Sequence, residues 1–339
     1  MMISDSMWKE LETEVNKIPG HGILKRLLAP ESTATMFLGI QRPSLSRLFL
    51  LEVPRNMLPL KEHIPESRGF ELSVEPSAEK LKNHATLVLR ATDCVYNEVF
   101  SAMVDNLYQI LKECKEERQI VRVFLDRLYR WQQFFEKNPQ NGLSEEAQRG
   151  LYGELYFLKN HLLSTSDHFI AEVSSWTGAM NRQHDFQFGD TVVEVKTSIA
   201  KQHQKLKISS EQQLDETLVG NLYIYHLSLS MMENHADTLP NLIAQIQNGL
   251  HDVYGATTTF EEALLNRGYL HTQAERYSKT GYAIREFNVF LVTDDFPRIT
   301  ERELPFGVGD LTYSISIAEC KKFKAPINEL ISHIRRNIS

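Results

Sequence analysis

The residues of this chain best suited to chemistry are Asp185 and the run Glu194-Val195-Lys196. Between them, Phe186-Gln187-Phe188 and Thr191-Val192-Val193 read as two β-strands, and Gly189-Asp190 suits a two-residue hairpin turn. With that turn as the whole loop, Phe188 faces Thr191, Gln187 faces Val192, Phe186 faces Val193 and Asp185 faces Glu194. Directly opposed residues have Cβ atoms roughly 4.5–5.5 Å apart, and like charges so placed destabilise a sheet. A divalent cation removes the conflict. Lys196 returns to the face of Glu194 by the two-residue period, while Val193 and Val195 turn to the opposite, apolar layer.

Two carboxylates and an ammonium at one spot fit phosphodiester hydrolysis with Mg²⁺, in which hard oxygens hold a metal that binds phosphate and polarises a water. Lys196 would orient or stabilise the attacking hydroxide and neutralise charge developing in the transition state. The carbonyl of Val195 is a further candidate metal ligand.

On these residues the chain resembles the PD-(D/E)xK nuclease superfamily, in which a metal-binding Asp on one strand is followed by Glu-x-Lys on the next. The proline of the superfamily name is absent, and His184 stands before Asp185. The resemblance implies a Glu on the preceding helix. Gly150 to Leu158 reads as that helix, with Glu154 as the matching carboxylate, expected to bind a second metal or a metal-bound water. Leu151, Leu155, Leu158 and Leu162 form the apolar stripe that would dock it on the sheet. Downstream, Ile208 to Leu214 resembles a segment in which a Gln lies near the catalytic Lys, here Gln213. Ser210-x-x-Gln213 equally reads as a helix capping box.

The resemblance covers about residues 148–230. More loosely, the whole chain resembles a bacterial family of PD-(D/E)xK proteins found beside restriction and phage-defence genes. It implies an α/β fold with a restriction-endonuclease-like mixed sheet flanked by helices, Mg²⁺ as cofactor with Mn²⁺ able to substitute, and DNA as partner. The implied catalytic set is Glu154, Asp185, Glu194, Lys196 and Gln213, and the implied metal-binding set is Asp185, Glu194, Val195 and Glu154. Double-strand scission would also call for a homodimer or another defence-system protein.

With 339 residues, 42% hydrophobic and 24% charged, the composition is that of a soluble globular protein of two domains. No run of about 18 apolar residues occurs, and Met1 to Ser6 lacks a basic start followed by an apolar core, so a cytoplasmic protein off the membrane is expected. Three cysteines, Cys94, Cys114 and Cys320, fit reduced thiols and are too few for a Cys-based zinc site. The net charge of −7 argues against nucleic-acid binding by overall attraction. Locally the balance reverses. Between Val195 and Ser210 lie Lys196, Lys201, Lys205, Lys207 and His203 with no acid, a basic strip that could follow a phosphate backbone. A second basic group, Lys321, Lys322, Lys324, Arg335 and Arg336, fits the outer face of a final helix.

The elements that must position these residues are legible in outline. Residues 1–140 read as a β-rich α+β domain for recognition or partner binding. It opens with a helix around Trp8 to Val15, and strands follow at Thr35–Ile40, Arg47–Val53, Gly69–Val74 and Ala85–Arg90. A long helical region then runs from Tyr96 to Glu136. Lys137-Asn138-Pro139-Gln140-Asn141-Gly142 breaks it, and residues 141–339 read as the nuclease-like domain. There, Ser144 to Ala147 starts the helix carrying Glu154, and Asn221–Ser230 reads as a buried strand. Helices follow at 238–251 and 257–267, strands at Arg285–Thr293 and Leu311–Ile317, and a terminal helix at Ile327–Arg336.

Two functions of different class remain in view. One is a metal-dependent endonuclease acting on DNA in a restriction or phage-defence system. The other is a catalytically silent subunit that uses the same fold to hold nucleic acid or proteins within a defence assembly.

Overall fold

A computed structural model of the chain describes residues 5–17, 20–76, 83–137, 142–165, 168–180, 182–217, 219–253 and 255–338. Its contacts divide the chain into two units, Met1–Gly142 and Leu143–Ser339. The stretch 138–141, where the sequence places its break, lies outside the described residues. Among the described residues no helix is long and apolar enough to cross a membrane.

The first unit places helix α1 (Asp5–Val15) before an antiparallel sheet of strands β1 (Gly22–Leu28), β2 (Thr35–Arg42), β3 (Ser46–Pro54), β4 (Phe70–Pro76) and β5 (His84–Ala91), in the order β1-β2-β3-β5-β4. The sequence predicts four of these strands. It misses β1, where only Leu28 is buried and Ile23 and Leu27 stay exposed, because this edge strand is held by its ladder to β2 rather than by an alternating apolar face. The expected single helical region is two helices, α2 (Asn97–Leu111) and α3 (Glu117–Lys137). The charged run Lys112-Glu113-Cys114-Lys115-Glu116 separates them, and α3 packs back on α2, where Trp131 Nε1 donates to Asn106 Oδ1 at 3.1 Å.

The second unit is mixed α/β. Its helices are α4 (Glu145–Phe157), α5 (Phe169–Ser174), α6 (Leu239–Leu250), α7 (Ala256–Asn266), α8 (Ala274–Tyr277), α9 (Ile317–Cys320) and α10 (Ile327–Ile338). Strands β6 (Phe186–Phe188), β7 (Thr191–Ser198), β9 (Asn221–Glu233), β10 (Thr280–Val292) and β12 (Lys324–Ala325) form one sheet in the order β12-β10-β9-β7-β6. β7 and β9 run parallel and the other pairs antiparallel, which makes the sheet mixed as expected. The remaining strands, β8 (Lys205–Ile208) and β11 (Tyr313–Ser316), pair as a separate ribbon.

Alternation sorts the two faces of this sheet. Val193, Val195, Tyr223, Tyr225 and Leu227 join the main core with residues of α4, α6, α7 and α10. Val192, Leu222 and Ile224 face the other way, against Leu206 and Ile208 of β8 and Ile315 of β11. Glu194 and Lys196 belong by the same alternation to this ribbon side. The expected leucine stripe is in place, with Leu151, Leu155, Leu158 and Leu162 all buried.

Candidate active site

The hairpin forms in the register that the two-residue turn dictates. Phe188 pairs with Thr191, Gln187 with Val192 and Phe186 with Val193, and Gly189 at φ 55° supplies the left-handed conformation the turn needs. The ladder then stops. Asp185 lies one residue beyond β6, and its Oδ2 accepts the backbone N–H of Val195 at 2.8 Å. A carboxylate thus takes the place on the edge of β7 that a longer β6 would fill with backbone. In an extended strand the carbonyl of a residue projects from the same edge as its N–H, which places the Val195 carbonyl on Asp185's side of β7.

Asp185 is fixed from behind by the segment that follows α5. Gly178 N–H donates to Asp185 O at 2.9 Å, Gln187 N–H to Ser175 O at 2.9 Å, and Thr177 Oγ1 to His184 O at 2.9 Å. A Cβ on Gly178 would fall 2.8 Å from Asp185 Oδ1, so only glycine admits this approach. His184 is buried, and burial pulls its ring below the ordinary histidine value.

On β7, Lys196 Nζ donates to Glu194 Oε1 at 2.7 Å and to Gln213 Oε1 at 3.1 Å. Gln213 lies in the short helical turn Glu211–Leu214, whose entry is capped by Ser210 Oγ accepting Gln212 N–H at 3.2 Å. Its side-chain oxygen also accepts Ser209 N–H at 2.8 Å. The capping role therefore falls to Ser210, and Gln213 is left to hold the ammonium.

Glu154 reaches the same region from the helical side. Helix α4 starts at Ser144, whose Oγ accepts Ala147 N–H, and rides over β7 at Gly153, where a Cβ would meet Thr197 Cγ2 at 2.5 Å. This close approach sets the height at which the next residue, Glu154, enters. Trp176 Nε1 donates to Glu154 Oε2 at 2.7 Å, and Arg267 Nη2 forms an ion pair with Glu154 Oε1.

The electrostatics show one cluster. Burial, followed by the charge of Asp185, drives Glu194 well above the usual carboxylate range against the pull of Lys196. Burial also raises Glu154, with Arg267 opposing and Asp185 adding to the rise. Burial works against the charge on Lys196, but Glu194 and Asp185 hold it above the ordinary lysine value. Three acids within reach of one another's fields, two of them almost fully buried, are short of positive charge.

That shortage is the test of whether a metal fits. Glu194 Oε2 is buried with no hydrogen-bond partner, and the carboxylates and nearby carbonyl are hard oxygens of the kind Mg²⁺ and Mn²⁺ take. Among the described residues no group of three or more His, Cys, Asp or Glu is placed to hold a metal. Of the acids the sequence reading offers as metal ligands, Glu154 has both oxygens paired, with Trp176 and Arg267.

The basic strip is divided. Lys201 and Lys205 are exposed, whereas Lys207 pairs with Glu146 at 2.7 Å on the surface. Half of the strip is strand β8, tied to β11 by the register Lys205↔Ser316 to Ile208↔Tyr313. Of the second basic group, Arg335 turns inward to Glu172 at 2.5 Å.

Sequence reasoning passes over Trp176, Gly178, Gly153 and Arg267. Gly153 carries a visible signal, a glycine inside an amphipathic helix directly before the candidate acid. Arg267 ends α7 just before Gly268 at φ 83°, a basic residue at a helix C-terminus, but nothing local points it at an acid 113 residues earlier.

Comparison with known proteins places the site in a family context. The family model described as "Putative PD-(D/E)XK family member, (DUF4420)" matches residues 4–318. No curated protein and no solved structure matches the chain.

Proposed function

The chain belongs to the PD-(D/E)XK family, and from that premise we propose that it is a metal-dependent endonuclease that hydrolyses DNA phosphodiester bonds. The observation that carries this reading is the convergence of Asp185, Glu194 and Lys196 at the open end of the β6–β7 ladder. Asp185, Glu194 and the Val195 carbonyl would hold the cation, with Mg²⁺ as the expected ion and Mn²⁺ as its substitute. When bound, such a cation polarises a phosphate oxygen and lowers the pKa of a bound water.

The chain's own groups do the rest. Val195 N–H keeps Asp185 Oδ2 turned to the strand edge, and Oδ1 lies on the side of Gly178. Glu194 and Gln213 hold the ammonium of Lys196 between them and leave it one further proton to donate. From there it orients a water or steadies negative charge on the phosphate, a contribution worth more in a partly desolvated site. Lys201 and Lys205 extend positive charge away from the site along the strand's exit, where a phosphate backbone can follow. A restriction or phage-defence setting, with a second copy or another protein supplying the second cut, is the biological role we attach to this chemistry.

Plasmid nicking in Mg²⁺ tests the reading. Wild-type protein should cut, and Asp185→Asn and Lys196→Met should each lose at least about 10²–10³-fold while remaining folded by circular dichroism. Undiminished cutting in both variants removes these residues from the mechanism. Absence of both cutting and Mn²⁺ binding in the wild type leaves the silent, scaffold-like subunit as the better description.

A further inference from the structure

We propose that the guanidinium of Arg267 stands where a second metal ion would otherwise sit, so that this site works with a single divalent cation. The proposal rests on the nuclease reading above. Its starting point is Glu154, the acid a second metal would need. Both of its oxygens are already taken, Oε2 by Trp176 Nε1 at 2.7 Å and Oε1 by Arg267 Nη2.

Arg267 is partly buried, its side chain 30% exposed, and the fold sets where it reaches. It caps α7, where Gly268 turns the chain into the left-handed region and fixes the direction from which the side chain departs. Its second nitrogen, Nη1, donates to Gly178 O at 3.5 Å. Gly178 is also the residue whose N–H holds Asp185 O, and whose missing side chain lets Asp185 Oδ1 come close. The guanidinium is thus anchored at once to Glu154 and to the backbone against which Asp185 rests. The attraction of Glu154, Asp185 and Glu194 more than offsets the burial that works against its charge. A guanidinium does not lose its proton under working conditions, so the positive charge is permanent.

A fixed cation among three acids changes what a metal can do there. It compensates Glu154 and part of the field of Asp185, which leaves Asp185 and Glu194 as the pair short of charge. It also repels any dication that approaches the Glu154 side.

Calorimetric titration of the metal-free protein with Mn²⁺ tests this, with the magnetic coupling of neighbouring Mn²⁺ ions read by electron paramagnetic resonance. One Mn²⁺ per wild-type chain without a coupled signal is expected, and two per chain in Arg267→Met, with a coupled signal, once Glu154 is released. Arg267→Lys keeps one. Glu154→Gln in the wild-type background should still bind one Mn²⁺, more weakly because Arg267 is left uncompensated, since Glu154 is not a ligand. This variant and Arg267→Met/Glu154→Gln, which should also bind one ion, carry the test should Arg267→Met fail to fold. Two ions in the wild type, or no ion in Glu154→Gln, overturns the proposal and leaves the nuclease reading intact. No ion in the wild type overturns both.

Discussion

Three glutamates of the second unit are almost fully buried, Glu154 at 3%, Glu172 at 0% and Glu194 at 2% exposure, and each meets one basic side chain. They do different things. Glu172 on α5 meets Arg335 of α10, and the same arginine donates to Leu162 O at 3.2 Å, so the pair ties the terminal helix to the core. Glu172 Oε2 is buried and unpartnered, as is Glu194 Oε2. An orphan oxygen in the core is therefore not enough to mark a metal site. What sets Glu154 and Glu194 apart is that each also feels the charge of Asp185. Burial with one counter-ion makes architecture, and burial beside a second acid makes a place for added positive charge.

The contrast can be broken most sharply by activity. Asp185→Asn and Glu194→Gln should each abolish plasmid cleavage, by about 10³-fold or more, while the protein stays folded, whereas Glu172→Gln should leave cleavage within a few-fold. Equal loss in all three would erase the distinction. Stability should show the reverse order. Arg335→Met leaves Glu172 buried and uncompensated and should cost about 2–3 kcal/mol in urea denaturation, below the range for a fully buried pair because the Arg335 side chain is 28% exposed. Gly153→Ala forces a Cβ against Thr197 at the α4–β7 contact and should cost roughly 1–3 kcal/mol while also slowing cleavage, since Glu154 moves with the helix.

A subtler effect is the response to pH. Glu194 is pushed up to about 8 and Glu154 to about 7 from an ordinary 4.5, so the folded chain keeps protons that the unfolded chain has lost in this interval. Stability of the metal-free protein should then fall as pH rises from about 4.5 towards 8. Melting curves in a chelator at either end of the window check the sign. Glu194→Gln should flatten the fall, and Mn²⁺ at the alkaline end should reverse it. Smallest of all, Lys201→Gln and Lys205→Gln should each lower the salt dependence of DNA binding by about one unit of slope without touching the chemistry.

The parts of this site that were legible in the sequence are those with short-range causes. Gly189-Asp190 and the alternation around it fix the register to the residue, and Gln213 sits beside Lys196 as the family resemblance implies. The mixed α/β character of the second unit is what the family resemblance implies. What escaped depends on partners far along the chain. The strip Lys201 to Lys207 reads as one basic loop, yet Lys205–Ile208 is a strand because β11, more than 100 residues later, pairs with it. Trp176 and Arg267 meet Glu154 only after α5 and α7 have packed against each other and against the sheet. Helix and strand periods report which face of an element is apolar, and they carry no information on which distant polar tip will fill the gap between elements.

The brevity of β6 has a consequence of its own. Two further rungs on the ladder would satisfy the bare edge of β7 with main-chain bonds and make a sturdier sheet, but they would evict the carboxylate that now occupies it. On the proposed reading, the hairpin stays short because the carboxylate at its open end is needed for the metal. Engineers seeking an inert, heat-tolerant scaffold from this protein could begin by extending that strand, and those seeking a nuclease should leave its frayed end untouched.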